Sequence, residues 1–201
     1  VTSARELNVN DIPKIWFLRH GETHWNVEKR IQGQLESQLT SRGIEDAKAQ
    51  ARLVPPILAL NPPCFVSPLG RAQQTAKIAL EGREYITDDR LAEAHAGEWQ
   101  GLLRDDVRRS NPALVSMDTS SLDLFLAAPG GEGRGAFVAR IEDFLAHLTE
   151  PSVVVAHGLL GQVMRGLLTG LEWDEMGHLS NEQGCIYVLD GGTETVIRET
   201  E

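Results

Sequence analysis

The sequence predicts a three-layer α/β/α sandwich on a mostly parallel sheet with an antiparallel edge strand, and three observations predict it. Apolar runs at 15–18, 64–66 and 153–156 carry no polar break, as strands buried on both faces of a sheet do. Between them lie longer segments with helical spacing, an alternation that builds an α/β fold. Near the carboxyl end, Asp190-Gly191-Gly192 separates runs at 185–189 and 195–198; this is hairpin chemistry, and it turns the last strand antiparallel at an edge.

The elements follow in order. Residues 1–13 are polar and unpatterned and read as an arm, with 14–201 as a single domain. The first strand stops at Arg19-His20-Gly21-Glu22, because a buried strand cannot continue through charges. That polar set therefore sits past the carboxyl end of the strand, where open α/β sheets place ligands. Gly21, lacking a Cβ, lets the chain turn sharply and a ligand approach the backbone. The polar loop at 21–39 is too long to be idle. Thr40 reads as the N-cap of a helix carrying Ile44, Ala47, Ala51 and Val54 on one face and ending at Pro55-Pro56. The second strand, 64–66, runs into Ser67-Pro68 and a helix over 71–80. A short strand at 85–87 leads to Leu91-Ala92-Glu93. Residues 97–135 read as a capping insertion, with a helix at 103–110 broken by Pro112, another at 122–126, and a loop at Pro129-Gly130-Gly131. Phe137, Ile141, Phe144 and Leu148 then mark a clear helix. The strand at 153–156 ends in His157-Gly158 and is followed by a helix over 159–169.

Composition narrows the function. Hydrophobic residues at 41% and charged residues at 24% fit a soluble globular protein. No run approaches a membrane span, and the amino end lacks the basic and apolar regions of a signal peptide. A formal net charge of −10 argues against nucleic acid or an anionic membrane as partner. Cys64 and Cys185 each lie in an apolar run and read as buried free thiols, so a reducing cytoplasm is the expected compartment.

Against that acidic background, two parallel strands ending in His-Gly present His20 and His157 at one sheet edge. Arg19 and Arg71, from the ends of the first and second strands, join them. Two imidazoles and two guanidinium groups make a pocket for a compact dianion.

The residues around these positions resemble the histidine phosphatase superfamily, the phosphoglycerate mutase-like proteins. The resemblance begins at Leu18-Arg19-His20-Gly21-Glu22-Thr23 with Trp25-Asn26, and continues through Arg30-Ile31-Gln32-Gly33, Leu39-Thr40 and Gly43. It goes on at Ser67-Pro68, Arg71-Ala72 and Gln74-Thr75-Ala76, then at Leu91, Glu93, Gly97, Trp99 and Gly101. Pro129-Gly130-Gly131-Glu132 and Val155-Ala156-His157-Gly158 complete it, so the blocks span most of the chain. The resemblance implies the same three-layer fold and a metal-independent phosphatase with no cofactor, acting on small phosphorylated metabolites. It implies that His20 attacks phosphorus and becomes a phosphohistidine, which requires a neutral ring with one nitrogen free. His157 is then a donor to the transferring phosphoryl group. Arg19 and Arg71 match its three equatorial oxygens, and losing one such donor costs about 10²–10³ in rate. Glu93 matches the general acid, which protonates the leaving alkoxide and then deprotonates water. Asn26, Gln32 and Gly33 match loop positions that add donors to phosphate, beside Gly21 and Gly158. Glu22 is the rival acid, ranked as an orienting partner for Arg or His, and His95, two residues past Glu93, is expected at the substrate mouth.

Several features read more plainly. His20, Glu22 and His24 form a His-x-Glu-x-His string, but it is not the helical metal-binding arrangement, and no Asp or Cys cluster completes it. His24, His147 and His178 read as solvated, and the Asp88-Asp89 and Asp105-Asp106 doublets as exposed charge. Trp16, Trp25, Trp99 and Trp173 read as packing residues, with Trp25 and Trp99 candidates for a pocket wall. Two departures from the family pattern bear on the substrate. Gly133 stands where Ser or Thr is usual. Ala94 and Ala96 stand where cofactor-dependent mutases carry Arg and Tyr after the acid. Mutase chemistry nevertheless stays open, because Arg108 and Arg109 offer a carboxylate clamp from the cap. A phosphate-binding protein without turnover is a further alternative.

Overall fold

The computed structural model describes residues 11–115 and 119–200, so residues 1–10 of the expected arm lie outside the described residues. Strands β1 (Ile15–Arg19), β2 (Cys64–Val66), β3 (Ile86–Thr87), β4 (Ser152–Ala156), β5 (Ile186–Asp190) and β6 (Thr193–Ile197) form one sheet in the order β3-β2-β4-β1-β5-β6. The first four strands in that order are mutually parallel, and β5 and β6 run antiparallel to their neighbours. Gly191 and Gly192 both take positive φ, at 52° and 78°, as a two-residue hairpin matched to strand twist requires.

Strand alternation divides the core into two layers. Ile15, Phe17, Val154 and Ala156 face Phe137, Ile141 and Phe144 of α8 (Gly133–Ala146) and Val163 of α9 (Gly158–Thr169). Trp16, Leu18, Val153 and Val155 face the opposite layer, against Ala72, Ala76 and Ala79 of α4 (Gly70–Ala79) and Val54. The three layers expected from the sequence are therefore present.

Helix α2 (Ser41–Leu53) is capped as expected by Thr40, whose side chain accepts the Gly43 N–H, but its buried stripe is rotated. Gly43, Ala47 and Gln50 are buried while Ile44 and Ala51 are only half-buried. The reason is a polar duty: the Gln50 amide donates to the carbonyls of Arg19, at 2.9 Å, and Cys185, at 3.2 Å. Pro55-Pro56 opens the short helix α3 (Pro55–Leu58), where the missing N–H groups cost nothing. Pro112 likewise starts α6 (Pro112–Val115) directly after α5 (Arg104–Ser110). The polar loop after β1 contains α1 (His24–Val27), held by a Thr23–Asn26 capping box. Helices α7 (Ser121–Leu126) and α10 (Trp173–Met176) complete the α-helices of the described residues, with short 3₁₀ turns at Asp89–Leu91 and Gly97–Trp99.

Register assembles the carboxyl edge. Arg19 pairs with Ala156, and Val66 with Val155. The pairing runs one step further, with His20 N–H bonded to Ala156 O and Ser67 N–H to Val155 O, both at 3.0 Å. His20, Ser67 and His157 are thus brought side by side.

Candidate active site

His20 is 3% exposed, and its Nδ1 donates to the carbonyl of Gly21 at 2.8 Å. Burial, with Arg71 and Arg19 adding to it, holds the ring well below the usual imidazole range, so it is neutral and Nε2 keeps its lone pair. The centre of the His157 ring lies 5.2 Å from that of His20. His157 is fully buried and is also held well below the imidazole range, by burial first and then by Arg71. Its Nε2 lies 2.6 Å from Ser67 Oγ, and its Nδ1 is buried without a protein partner.

Two guanidinium groups are fixed by backbone carbonyls rather than by carboxylates. Arg71, 2% exposed, donates to Leu35 O at 2.9 Å and to Gly33 O at 2.7 Å, leaving Nε unpartnered. Burial lowers its pKa to about 10, against the opposing pull of Glu93 and Glu36. Arg19 donates Nη1 to the carbonyl of Asn181, and its Nε is likewise buried and unpartnered. Burial lowers its pKa too, with Glu93 opposing. Carbonyl fixation holds each fork in place without neutralising its charge, which stays available to an anion. The Thr75 hydroxyl links the two halves of the edge, accepting the Gly21 N–H at 3.1 Å and donating to Arg71 O at 2.8 Å.

Glu93 sits against the amino end of α9. Its Oε1 accepts N–H bonds from Ala94 and Leu160, and Oε2 accepts from Leu159, all at 3.0 Å. A carboxylate has about four lone-pair sites, so one on Oε2 remains open. The Glu93 carbonyl is pinned by Gln34 Nε2 at 3.0 Å and Arg140 Nη2 at 3.1 Å.

These groups line a cavity of about 190 Å³. Of the residues anticipated from sequence, Arg19, His20, Asn26, Gln32, Gly33, Arg71, Glu93 and Gly158 are in its wall, and His157 packs beside His20 without being part of that wall. Thr23 Oγ1 accepts from the Asn26 backbone N–H and from Gln32 Nε2, which leaves Gln32 Oε1 buried and unpartnered. Sequence reasoning missed Arg30, Leu159 and Asn181, together with Arg104, Ser121 and Phe125 from the segment expected to cap the site.

Other expected residues lie elsewhere. Gly21 is outside the cavity wall and packs against α2: a Cβ there would meet the carbonyl oxygen of Gly43 at 2.0 Å. Glu22 is outside the cavity wall, and its Oε1 accepts from the Thr40 hydroxyl at 2.8 Å, so the rival acid serves the start of α2. His95 is outside the cavity wall; its Nδ1 accepts the Gly97 N–H at 3.2 Å and its backbone N–H donates to Glu132. Trp99 is in the core, and Trp25 packs over Gly101. Gly133 opens α8 away from the cavity, so the missing hydroxyl is not lost from its wall. Arg108 donates to Thr119 O and Arg109 pairs with Asp106, leaving neither in the wall as a carboxylate clamp. Among the described residues, no helix is long and apolar enough to cross a membrane, and no group of three or more His, Cys, Asp or Glu is placed to hold a metal ion.

Residues 15–198 match the histidine phosphatase superfamily (branch 1). A glucosyl-3-phosphoglycerate phosphatase of Mycolicibacterium vanbaalenii is 33% identical over 192 residues, covering 85% of this chain and 81% of the relative. The adenosylcobalamin/alpha-ribazole phosphatase of Escherichia coli is 31% identical over 185 residues, covering 88% of this chain and 89% of the relative. The solved structure of a mycobacterial glucosyl-3-phosphoglycerate phosphatase with VO3 superposes with a TM-score of 0.70 at 30% identity, over 88% of this chain and 92% of the other. Similarity to probable phosphoglycerate mutases of Enterobacter and Serratia covers less than half of the chain. On this evidence the chain belongs to the histidine phosphatase superfamily, closer to its ribazole and glucosyl-phosphoglycerate phosphatases than to the true mutases.

Proposed function

We propose that this histidine phosphatase hydrolyses small phosphomonoesters through a phosphohistidine formed on His20, with Arg104, Ser121 and Phe125 of the expected capping segment covering the site. The observation that carries the reading is the His20 ring itself. Its proton is committed to Gly21 O, which leaves Nε2 bare, and the ring lines a cavity together with two guanidinium groups that make no ion pair among the described residues.

In the first step Nε2 attacks phosphorus and the ester P–O bond breaks. Arg19, Arg71 and the Nδ1–H of His157 stabilise the equatorial oxygens. The leaving alkoxide takes a proton from Glu93 Oε2, the oxygen with an open lone-pair site. In the second step water attacks phosphorus, Glu93 takes back a proton, and the P–N bond breaks to release inorganic phosphate and neutral His20. No step calls for a metal ion or cofactor. Asn26 and Gln32 orient the phosphate; a half-turn of the Gln32 amide lets its oxygen accept the Thr23 hydroxyl proton and directs its NH₂ into the cavity. Hydrolysis is favoured over mutase transfer because relatives matched over most of the chain at 33% and 31% identity are phosphatases, whereas the match to the probable phosphoglycerate mutases of Enterobacter and Serratia covers less than half of it.

The relatives' substrates are small phosphorylated metabolites, and a cavity of about 190 Å³ suits a substrate of that class. Incubation with ³²P-labelled substrate, in EDTA, should leave an acid-labile, base-stable label on the peptide containing His20. Undiminished labelling and turnover in His20→Ala would overturn the mechanism, and loss of turnover in EDTA, restored by a divalent ion, would overturn its metal independence.

A further inference from the structure

Arg19 is aimed by a loop that is itself held from inside the protein. Residues 177–185 join α10 to β5, and the carbonyl of Asn181 in this loop accepts Arg19 Nη1. Arg71 is fixed by two carbonyls, whereas among the described residues the Arg19 guanidinium is fixed by this one. Where Arg19 points therefore depends on where the loop lies.

Side chains outside the cavity wall set the loop's position. Gln162 of α9 donates Nε2 to Gly177 O at 3.2 Å and to Leu179 O at 2.8 Å. Nearly one turn further along α9, Arg165 donates Nη1 to Ser180 O at 2.6 Å. The Tyr187 hydroxyl shares its proton between Ser180 O, at 3.4 Å, and Glu182 O, at 3.2 Å. The carbonyls on either side of Asn181 are thus tied to α9 and β5, and its own is left for Arg19.

Arg165 is the centre of this arrangement. It is 1% exposed and is not part of the cavity wall. Glu194 of β6 accepts its Nε and Nη2, each at 2.7 Å, and its Cζ lies 3.8 Å from the centre of the Tyr187 ring. One edge of the guanidinium is fixed by a carboxylate and one face by an aromatic ring, which leaves Nη1 for Ser180. A buried ion pair adds little net stability over apolar side chains of similar volume. What this pair supplies is geometry.

From this we infer that Arg165 is a positioning residue for phosphoryl transfer: clamped by Glu194 and Tyr187, it holds Ser180 so that the next carbonyl, that of Asn181, keeps the Arg19 fork on the phosphoryl oxygens. The inference rests on the phosphatase reading for the reaction, but the placement of Arg19 is a matter of binding. A displacement of about 1 Å at a transition-state donor costs about 10² in rate, so a guanidinium that never touches substrate governs turnover through one that does. Gln183, on the same loop, donates Nε2 to the backbone carbonyl of His20 at 2.9 Å and is a second link to the site.

The test is equilibrium binding of orthovanadate, an analogue of the transferring phosphoryl group, to the folded full chain in two backgrounds, wild type and Arg19→Gln. Arg165→Gln should weaken binding about tenfold or more in the wild type, but about threefold or less once Arg19 is gone, the remainder passing through Gln183. Arg165→Lys should recover part of the loss. Tyr187→Phe keeps the ring beneath the guanidinium and removes only the hydroxyl. It should weaken binding about two- to threefold with the same dependence on Arg19, and it carries the comparison if Arg165→Gln does not fold. Equal losses in both backgrounds, no loss in the wild type, or a wild type that binds no vanadate overturns the inference. Phosphate release from p-nitrophenyl phosphate by the wild type reports separately on the phosphatase reading, so either can fail without the other.

Discussion

Ser67 Oγ lies 2.6 Å from Nε2 of His157, and this contact decides where the His157 proton resides. The hydroxyl oxygen also accepts the Leu69 N–H at 3.3 Å, and its single proton has the ring nitrogen as its acceptor among the described residues. His157 is neutral, so accepting at Nε2 places its own proton on Nδ1, the atom left buried without a protein partner. His20 is the converse, with Nδ1–H tied to Gly21 O and Nε2 bare. One ring is set as nucleophile and the other as donor. Ser67→Ala should lower kcat about tenfold, equivalent to about 1.4 kcal/mol. Long-range ¹H–¹⁵N spectra should show His157 as the Nδ1–H tautomer in the wild type and as a mixture in Ser67→Ala. A wild-type Nε2–H tautomer would contradict the assignment whatever the variant does.

The two neutral imidazoles also set a pH dependence of stability. Both folded values lie well below the unfolded one of about 6.5, so above that pH neither state binds the extra protons and stability is flat. As pH falls below about 6.5 the unfolded chain takes up protons that the folded chain refuses, and each imidazole removes about 1.4 kcal/mol per pH unit until its folded value is reached. Urea unfolding between pH 7 and 5 should show this loss in the wild type. His157→Gln, which cannot titrate, should show a slope shallower by about one proton. Equal slopes would mean that His157 is not held neutral.

Much of the site was legible because strand ends announce themselves. Ile15–Arg19 and Ser152–Ala156 are apolar until the chain leaves the sheet, so Arg19, His20 and His157 had to gather at the carboxyl edge. Arg104 gave no such signal. It precedes two aspartates and shares its helix with Arg108 and Arg109, a pattern that reads as a solvated helix surface, and only tertiary placement turns it toward the cavity. Asn181 acts through its backbone carbonyl, which no side-chain pattern reports. Gln50 was not among the residues expected on the buried face of α2, yet it is buried and serves the Arg19 and Cys185 carbonyls. Glu22 was drawn to the site by its nearness in sequence to His20, but the turn directs it to Thr40.

At Gly21 the packing leaves no room for a side chain. Its close neighbour is the backbone of α2: an added Cβ would sit 2.0 Å from Gly43 O, and one on Gly43 would sit 2.0 Å from Glu22 O. Neither obstacle is a flexible side-chain end, so Gly21→Ala should destabilise by about 3 kcal/mol or more, at or beyond the usual cost of overpacking. Gly135→Ala is the control. It lies in α8 with nothing within 4 Å of its would-be Cβ, and its helix propensity should improve by up to about 1 kcal/mol. Urea unfolding of both variants checks the contrast; a tolerated Gly21→Ala would mean that the loop and α2 do not touch as described.

Glu93 is asked to act as acid in one step and base in the next, and the leaving group separates these roles from mere structure. An alkoxide needs a proton as it departs, whereas p-nitrophenolate leaves readily without one. Glu93→Gln should therefore lower kcat on an alkyl phosphate by about 10²–10⁴, with a much smaller loss in the phosphorylation step on p-nitrophenyl phosphate. Dephosphorylation should be slowed for both substrates, because the amide cannot take a proton from water. Rapid mixing should accordingly show a burst of p-nitrophenol followed by slow turnover, with phosphohistidine accumulating. The substitution also has a structural cost. Three N–H groups, from Ala94, Leu159 and Leu160, converge on the carboxylate, and a glutamine turned so that its NH₂ faces Leu159 leaves that donor unpaired, at about 1–3 kcal/mol. That loss would scale all substrates alike and would not create a burst. A uniform fall in kcat without one would assign Glu93 to holding the start of α9 rather than to moving a proton.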